Sequence, residues 1–543
     1  MISPLLLSLF ATAAIGAPQS ADCRCRPSDS CWPSAKEWSS LNKTIHGNLV
    51  AVRPVASVCH QPEYNADACR VVTDSWTDSV WRSSQPGAGQ WENWEVWPER
   101  NQSCHIESPQ NTACQQGRIS LYSAIAQSAS DIQHTVRFAS THNLRLAIKN
   151  TGHDFLGRST APKSLQILTH NMKDIKIVDC FVPKGSSKSE GPAITIGAGV
   201  QLPEIYEAVA QHNRTVIGGS SHTVGAAGGI RGGDGRRGGG TFGVVTSVTL
   251  RTFTEVPVVL YNFNITTAGG DPRFWDAFAE WHAALPSLND GGGSGYYFGL
   301  PNNPISASIS VSTIMSLMMF PEKSDVAQID SLYQPLAAKL RQIGGIQIAN
   351  ASIPFPTMNS TMFTMFIGGR SDSTGGIAML ASRLYSKDLL TSQDGPGRLA
   401  NAFKSIKWNP FTEFIGHVVA GGAVAANADK VDSAVNPAWR KTISHLVFSR
   451  SWAATATLAE LTAVIKNMTD VEIPILRAVE GEDQMGAYMN EANGYEPGFQ
   501  AAFWVANYPR LYRIKQKWDP KGLFISRKGV GSEDWDDAGL CRI

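Results

Sequence analysis

The sequence predicts an α+β fold, and two patterns carry that prediction. Between residues 119 and 255, short strands rich in β-branched residues alternate with helices, which is typical of domains that pack helices against sheets. Between about 256 and 480, helices mix with strands such as 305–311, whose residues alternate between apolar and polar. Alternation of this kind is typical of an α/β or an α+β fold, and the second region is interpreted as a separate domain.

The individual elements follow from local periodicity and turn residues. Strands are predicted at 119–125, 144–148, 165–169, 175–178, 193–196, 215–217, 241–253, 305–311 and 523–525. Helices are predicted from an N-cap at Ser130 through 139, and at 202–212, 273–285, 327–343, 454–468 and 499–518.

Composition excludes several classes of function. Lys and Arg number 47 against 46 Asp and Glu, a net charge of +1, so no global basic field exists to bind nucleic acid or an anionic membrane. Hydrophobic residues make up 43% of the chain, too many for a largely disordered protein. After the N-terminus, no apolar run reaches the length of about 18 residues that a membrane anchor needs.

The N-terminus predicts secretion. An apolar run at 5–15 precedes small residues, and its length suits a signal peptide over residues 1–17 rather than a membrane span. The run has no charged residue in front of it, and the alternative is a short buried N-terminal segment. Seven N-x-Ser/Thr sequons also favour a secreted glycoprotein; they lie at Asn42, Asn101, Asn213, Asn264, Asn350, Asn359 and Asn467.

Seven of the nine cysteines precede residue 115, in a segment over 18–115 that is rich in Trp and Pro and poor in periodicity. In a secreted chain they are expected to form disulfides that tie this segment down. The odd total leaves at least one thiol unpaired. A zinc site at Cys23 and Cys25 is the alternative, but no second pair follows at ligand spacing.

Residues 233–238 match the pattern G-x-G-x-x-G of dinucleotide-binding turns, and Glu255 lies about 20 residues further on. No strand leads into the first glycine and no helix follows the last one, so nothing would direct a helix dipole at a pyrophosphate. The segment is therefore interpreted as a glycine-rich turn.

The stretch 144–159 predicts a strand that ends in a tight turn with a reactive side chain. Gly152 lets the backbone approach an anion closely, because successive backbone N–H groups can surround phosphate oxygens. His153 follows it directly. By itself the motif also fits an ordinary turn histidine.

Several motifs, in order along the chain, resemble the FAD-linked oxidases of the vanillyl-alcohol oxidase and p-cresol methylhydroxylase (PCMH) superfamily, in particular the berberine-bridge-enzyme-like branch of fungi. The resemblance covers roughly residues 40–535. The motifs are 144–159, 165–169, 193–199, 216–225, 239–246, 435–440, 486–491, 507–511, 515–520 and 522–524.

The resemblance implies an α+β architecture. It consists of a PCMH-type FAD-binding domain of two α/β subdomains at 116–255, a substrate-binding domain with an antiparallel sheet and helices at 256–480, and a C-terminal segment at 481–543 that closes over the flavin. It implies a covalent bond from His153 to the 8α carbon of FAD. Some relatives add a second bond through a cysteine where this chain has Ser221, so a single bond is expected here. The other cofactor-binding residues implied are Asn150, Thr151, Gly152 and Asp154 at the pyrophosphate turn, together with Ser220, Thr223, Gly225, Gly228, Val245, Asn507 and Tyr508.

The catalytic residues implied are Tyr488 and Glu491. In relatives, an aromatic or acidic residue beside the flavin takes a proton from an alcohol, and a buried Glu would have the raised pKa that a base needs. A structural role for Glu491 is the alternative.

One segment departs from the family. Only residues 230–237 separate Gly229 from the Gly-Gly-Gly-Thr-Phe-Gly stretch, where the resemblance implies several dozen more residues of the FAD domain. Two hypotheses follow: a secreted FAD-dependent oxidase that passes hydride from a small alcohol or a secondary metabolite to FAD and then to O₂, or a degenerate glycoprotein that has lost FAD. No G-x-S-x-G or H-E-x-x-H motif supports a serine or zinc hydrolase, and no metal site is predicted.

Overall fold

The computed structural model describes residues 23–228, 240–368, 372–481 and 486–543. The predicted signal peptide and the glycine-rich motif at 233–238 lie outside the described residues. Its strands are β1 Leu49–Ala51, β2 Tyr122–Ile125, β3 Arg145–Lys149, β4 Ser164–Leu168, β5 Ile175–Val178, β6 Ala193–Gly197, β7 Arg214–Thr215, β8 Ser247–Arg251, β9 Phe253–Thr254, β10 Val258–Ala268, β11 Ser294–Pro304, β12 Ser310–Pro321, β13 Gln347–Phe355, β14 Met379–Ser386, β15 Phe414–Val418 and β16 Thr442–Arg450.

Helices pack between and against these strands. Among the described residues the α-helices are Ala35–Thr44, Ala66–Asp74, Ser79–Ser84, Ala129–Thr141, Leu202–Ala210, Arg273–Asp290, Val326–Ile343, Met358–Met362, Lys387–Thr391, Gly395–Ser405, Gly422–Ala426, Leu458–Lys466, Ile473–Ala478, Phe499–Trp504 and Tyr508–Trp518. None of the helices described is long and apolar enough to cross a membrane.

The first sheet has the order β1-β2-β4-β3, with β4 parallel to both β2 and β3. Helix Ala129–Thr141 connects β2 to β3, which lie on either side of β4 in this sheet. It begins in a capping box, because Ser128 caps the backbone and Asp131 bonds back to it. The helix starts two residues earlier than predicted, since Ser128 rather than Ser130 is the N-cap.

A second, antiparallel sheet is formed by β5, β6 and β8, and β7 pairs with β9. The third sheet is fully antiparallel, with the order β13-β10-β12-β11-β15-β16-β14. Helices Arg273–Asp290 and Val326–Ile343 cover one of its faces and bury the largest apolar cluster of the molecule, which includes Trp281 and Tyr333. The α+β prediction is confirmed.

Strand β11 shows how the third sheet presents its other face. Successive side chains of a strand point to opposite faces. Tyr297 is fully buried against Trp281, with ring centroids 5.4 Å apart. Its neighbour Tyr296 lies on the opposite face, where its ring meets that of His417 on β15 at 5.0 Å. That second face carries the candidate site.

Several predicted elements differ from the structure. Residues 305–309 form the turn between β11 and β12, with Ile305 and Ile309 exposed, so their alternation did not mark a strand. The predicted strand 241–253 is reduced to β8 and β9, and 523–525 is not a strand. The helix predicted at 499–518 is interrupted near Val505, whose φ of +47° no α-helix accepts.

Four disulfides are present among the described residues, and they confirm that the early cysteines are paired. Cys23 bonds to Cys541, so the N-terminal segment is fastened to the C-terminus. Cys25 bonds to Cys31, which overturns the zinc alternative because neither thiol of Cys23 and Cys25 is available to a metal. The other disulfides join Cys59 to Cys69 and Cys104 to Cys114. Cys180 keeps an exposed thiol.

One sequon cannot act as a glycosylation site in the folded chain. Asn359 is only 6% exposed, and its Nδ2 donates to the carbonyl of Arg214 at 2.8 Å and to the carboxylate of Glu255. A glycan on this amide would require all three groups to separate.

Candidate active site

The turn after β3 is held by hydrogen bonds from the loop that contains Gln90. Gly152 has φ +87°, a conformation that favours glycine. A Cβ at this position would also lie 3.1 Å from Cε of Lys149. Gln90 donates from its side chain to the carbonyl of Thr151 at 2.9 Å, and its backbone N–H donates to the carbonyl of Gly152 at 3.2 Å. The turn is therefore held in one shape before any ligand binds.

The carboxylate of Asp154 organises the second half of this turn. It accepts hydrogen bonds from the backbone N–H of Leu156 at 2.8 Å and of Arg158 at 2.9 Å, and from Nε of Arg158 at 2.9 Å. Both oxygens are committed to donors of the chain itself. Asp154 thus shapes the predicted pyrophosphate turn rather than presenting a free carboxylate to a ligand.

Arg158 connects the turn to the C-terminal segment. Its Nη2 donates to Oδ1 of Asn490 at 2.7 Å, and Nδ2 of Asn490 donates to the hydroxyl of Tyr488 at 2.8 Å. The two predicted parts of the site, the His153 turn and the 488–491 segment, are joined by this chain of hydrogen bonds although more than 300 residues separate them in sequence.

His153 is held by residues from two other segments. Its Nε2 lies 2.6 Å from Oγ1 of Thr223 and 3.8 Å from Oδ2 of Asp372. Burial lowers the pKa of His153 to about 4, with nearby Asp372 opposing the shift and Lys149 adding to it. The imidazole is therefore neutral near pH 7. Its Nδ1 makes no hydrogen bond to any residue within the described ranges.

Asn150 fills the space beside Gly225. Its Nδ2 donates to the carbonyl of Ala198 at 2.7 Å, and a Cβ on Gly225 would lie 2.2 Å from that Nδ2. Its Oδ1 is buried and has no hydrogen-bond partner among the described residues. A buried acceptor without a donor is costly, so this position suits a ligand that supplies one.

The segment 220–228 lies beside the His153 turn, because its Thr223 contacts His153. Oγ of Ser221 donates to Asp372 at 2.7 Å. Ser220 precedes it at the start of the segment. Gly228 is exposed, and a Cβ there would meet no atom within 4 Å. Val245 packs at the edge of the apolar cluster that covers the second sheet.

Asn507 and Tyr508 are bonded elsewhere. Nδ2 of Asn507 donates to the carbonyl of Val435 at 2.8 Å, and the hydroxyl of Tyr508 donates to Glu533. These bonds anchor the start of helix Tyr508–Trp518. No contact recorded within the described ranges brings either side chain to His153.

Glu491 lies beside two histidines of the third sheet. Its Oε2 is 3.4 Å from Nδ1 of His417 and 3.7 Å from Nδ1 of His445, and the two Nδ1 atoms are 3.1 Å apart. These atoms lie within 4.8 Å of one another, near enough to share one metal ion. The three side chains and Tyr488 form one polar cluster on this face of the third sheet.

Burial controls the charges in this group. It raises the pKa of Glu491 to about 7 and lowers the pKa of His417 to about 4. The pKa of His445 is lowered further, by burial and then by its neighbour His417. Burial also raises the pKa of Tyr488 far above its usual value. Near pH 7 Glu491 is therefore the group of this cluster that is poised to exchange a proton.

Several residues of the candidate site were not predicted from the sequence. Tyr296, His417 and His445 stand opposite one another across β11, β15 and β16, so strand pairing rather than spacing brings them together. Asp372 also escaped notice. Arg158 lies within the motif 144–159, and its position four residues after Asp154 could have indicated that the two side chains form an ion pair.

Comparisons with known proteins identify the family of this chain. Residues 121–255 match the FAD binding domain family, and residues 487–531 match the berberine and berberine-like family. An uncharacterized FAD-linked oxidoreductase from Arthroderma benhamiae is 47% identical over 100% of this chain and 99% of its own length. The FAD-linked oxidoreductase malF from Malbranchea aurantiaca is 36% identical over 96% of this chain and 94% of its own.

Among solved structures, a VAO-type flavoprotein from Myceliophthora thermophila has 28% sequence identity and a TM-score of 0.82, covering 96% of this chain and 100% of its own. The alignment with the Arthroderma protein extends over 587 positions, whereas this chain has 543 residues. The relative thus has several dozen residues without a counterpart here.

Proposed function

Because this chain belongs to the berberine-bridge-enzyme-like FAD-linked oxidoreductases, we propose that it is a secreted oxidase of small alcohols or hydroxylated secondary metabolites that holds FAD covalently. FAD, when bound, accepts a hydride from the substrate and returns the electrons to O₂, which gives H₂O₂. The residues of the candidate site are proposed to bind the cofactor, to orient the substrate and to take its proton.

The residues present fit a flavin nucleotide. The unpartnered Oδ1 of Asn150 and the preformed turn at Gly152 provide polar contacts for a cofactor. The neutral imidazole of His153 has the lone pair that a bond to the cofactor requires. Ser221, which stands where some relatives have cysteine, cannot supply a second bond. We therefore propose a single covalent bond, through His153.

Glu491 is proposed as the base that takes the proton of the substrate hydroxyl. Its Oε2 is buried without a hydrogen-bond donor, and burial places its pKa near 7, where a base is most effective. The hydroxyl of Tyr488, fixed by Asn490, is proposed to orient the same substrate oxygen. His417 lies beside Glu491, and its ring contacts that of Tyr296.

One observation carries this proposal. A chain of hydrogen bonds runs from Asp154 through Arg158 and Asn490 to Tyr488 and connects the turn of the proposed cofactor attachment to the segment of the proposed base.

The experiment is to purify the secreted protein, record its visible spectrum, and test whether the yellow colour stays with the chain after acid denaturation. We expect flavin absorption that remains with the wild-type chain and with the control His212→Ala, whose histidine is exposed. We expect His153→Ala to release any flavin on denaturation. Colour lost from the wild type on denaturation would refute the covalent bond.

The degenerate glycoprotein is the second candidate, and the short connection at 230–237 favours it, as do the several dozen residues by which the Arthroderma relative exceeds this chain. A folded, colourless protein would support this candidate. In both cases we propose the secretory pathway as the location, since four disulfides form stably in an oxidising compartment.

A further inference from the structure

Asp372 is the end of a short relay that begins at His153. Nε2 of His153 lies 2.6 Å from Oγ1 of Thr223, and this Oγ1 donates to Oδ2 of Asp372 at 2.8 Å. The backbone N–H of Thr223 donates to the same carboxylate oxygen at 2.9 Å. Ser221 and the backbone of His222 complete the shell, with donors at 2.7 and 3.2 Å.

The relay determines which nitrogen of His153 carries the proton. Asp372 receives four hydrogen bonds, and those from Ser221 and Thr223 outweigh burial and keep its pKa below the usual value, so it is an ionised carboxylate that can only accept. The single hydroxyl proton of Thr223 is therefore committed to Asp372. Toward His153 the hydroxyl offers only a lone pair, and Nε2 must be the donor.

The other nitrogen is then left with its lone pair exposed. A neutral imidazole has one N–H, and with the proton on Nε2 the Nδ1 atom is the nucleophile. A direct hydrogen bond from Nε2 to Asp372 is ruled out by their distance of 3.8 Å. The hydrogen bonding that connects the two residues therefore passes through Thr223.

We propose that Asp372 is a positioning residue that acts through Thr223 to hold His153 in the Nε2–H form, and so directs Nδ1 to bond with the 8α-methyl carbon of FAD. The inference rests on the proposed covalent attachment. The Nδ1–C bond forms as one methyl C–H bond breaks, and the two electrons of that C–H bond pass to the ring system of the flavin. O₂ takes up these electrons together with two protons, one from the methyl group and one from Nε2, to give H₂O₂.

The relay also provides a path for the second proton. Once Nδ1 is alkylated the ring is cationic, and its Nε2 proton faces the Thr223 hydroxyl and, behind it, the negative charge of Asp372. Lys149, the other charged group that acts on His153, carries no negative charge that could attract this proton.

The test compares three variants of the full chain, produced in flavin-deficient cells and then incubated with FAD. Thr223→Val keeps the shape of the side chain and removes the hydroxyl, Thr223→Ser keeps the hydroxyl, and Asp372→Asn keeps an acceptor without the charge. Total bound flavin is measured by absorption, and the covalent fraction over time by in-gel fluorescence and peptide mass.

We expect Thr223→Val to bind FAD but to form the covalent bond at least tenfold more slowly than the wild type. Asp372→Asn should be slowed less, and Thr223→Ser should attach FAD at the wild-type rate. Attachment by Thr223→Val at the wild-type rate would overturn the proposal. A variant that bound no FAD would be judged by the tautomer measurement below.

The tautomer can be observed without any flavin. In the wild-type chain labelled with ¹⁵N-histidine, the His153 signal, assigned by its loss in His153→Ala, should show a protonated Nε2 and a bare Nδ1. Thr223→Val should change that pattern. If Nδ1 carried the proton in the wild type, the relay would be wrong even where covalent attachment occurred; the expected tautomer in a chain with dissociable FAD would support the relay and refute the covalent bond alone.

Discussion

Arg158 donates a hydrogen bond of 2.7 Å to Oδ1 of Asn490, and this contact joins the turn that holds His153 to the segment that holds Glu491. Asn490→Ala removes the acceptor of Arg158 and the donor to Tyr488 in one step. We expect it to lower the free energy of unfolding by about 1–3 kcal/mol, because Nη2 of Arg158 and the hydroxyl of Tyr488 each lose a hydrogen bond at a partly buried position.

The measurement is denaturant unfolding of the variant and the wild type at one pH. Asn427→Ala is a matched control, since Asn427 is also partly buried and its side chain bonds only within its own helical segment. The control should change stability by less than about 0.5 kcal/mol. Equal losses in the two variants would show that the Arg158–Asn490 contact does not join the segments.

Glu491 makes stability depend on pH in a predictable direction. Burial raises its pKa to about 7, against 4.5 for an unperturbed Glu. Between these values the folded state binds more protons than the unfolded state, so the contribution of Glu491 to stability is present at low pH and is lost as pH rises toward 7. Glu491→Gln removes that loss.

We therefore expect Glu491→Gln to become more stable than the wild type by about 1–3 kcal/mol between pH 5 and pH 8, at roughly 1.4 kcal/mol per unit of pKa difference. Unfolding curves at several pH values measure it. Glu207→Gln, at an exposed position of a helix, serves as the control. Its stability should change with pH in the same way as that of the wild type. If the stability of Glu491→Gln changed with pH in the same way as that of the wild type, the pKa of Glu491 would be near its ordinary value.

Local patterns predicted much of the fold. Strand β5 was placed at its observed bounds and β4 within one residue, because both are short runs with clear apolar alternation or burial. The turn from 305 to 309 was mistaken for a strand because it connects two long strands and continues their alternation, although its isoleucines face solvent. Periodicity alone cannot tell a strand from a hairpin end of this kind.

The candidate site also has one part that the sequence predicts and another part that it does not. The Asn150–Asp154 turn is continuous in sequence, so its residue types and its glycine could be recognised together. Tyr296, His417 and His445 meet only because β11, β15 and β16 are neighbours in the sheet, and no spacing in the sequence encodes that order. Asp372 reaches Thr223 from a position 149 residues away.

The disulfide between Cys23 and Cys541 closes almost the entire chain, with a sequence separation of 518 residues. Closing a longer loop removes more entropy from the unfolded chain. We expect the double variant Cys23→Ser, Cys541→Ser to lose about 2–5 kcal/mol of unfolding free energy, and removal of Cys25–Cys31, which closes a separation of 6 residues, to cost less.

Denaturant unfolding under non-reducing conditions compares these variants. Cys180→Ser is the control, because Cys180 is exposed and outside any disulfide. A smaller loss on opening Cys23–Cys541 than on opening Cys25–Cys31 would mean that native packing, rather than loop closure, determines what each disulfide contributes.

Gly225 is a position where one methyl group is expected to disturb the proposed cofactor recess. A Cβ there would lie 2.2 Å from Nδ2 of Asn150, which is held by the carbonyl of Ala198. In Gly225→Ala the amide of Asn150 must move and give up that bond, at a cost of about 1–3 kcal/mol. Its Oδ1 moves too, so we expect less bound flavin per chain together with a lower melting temperature.

Gly397→Ala separates this effect from the general consequences of adding a methyl group. Gly397 lies inside helix Gly395–Ser405, and its Cβ would meet nothing within 4 Å, so alanine should raise stability by about 0.5–1 kcal/mol through helix propensity. Flavin content and melting temperature are measured on both variants. Wild-type flavin content in Gly225→Ala would show that the position of Asn150 does not matter for cofactor binding, since no smaller change moves that side chain more directly.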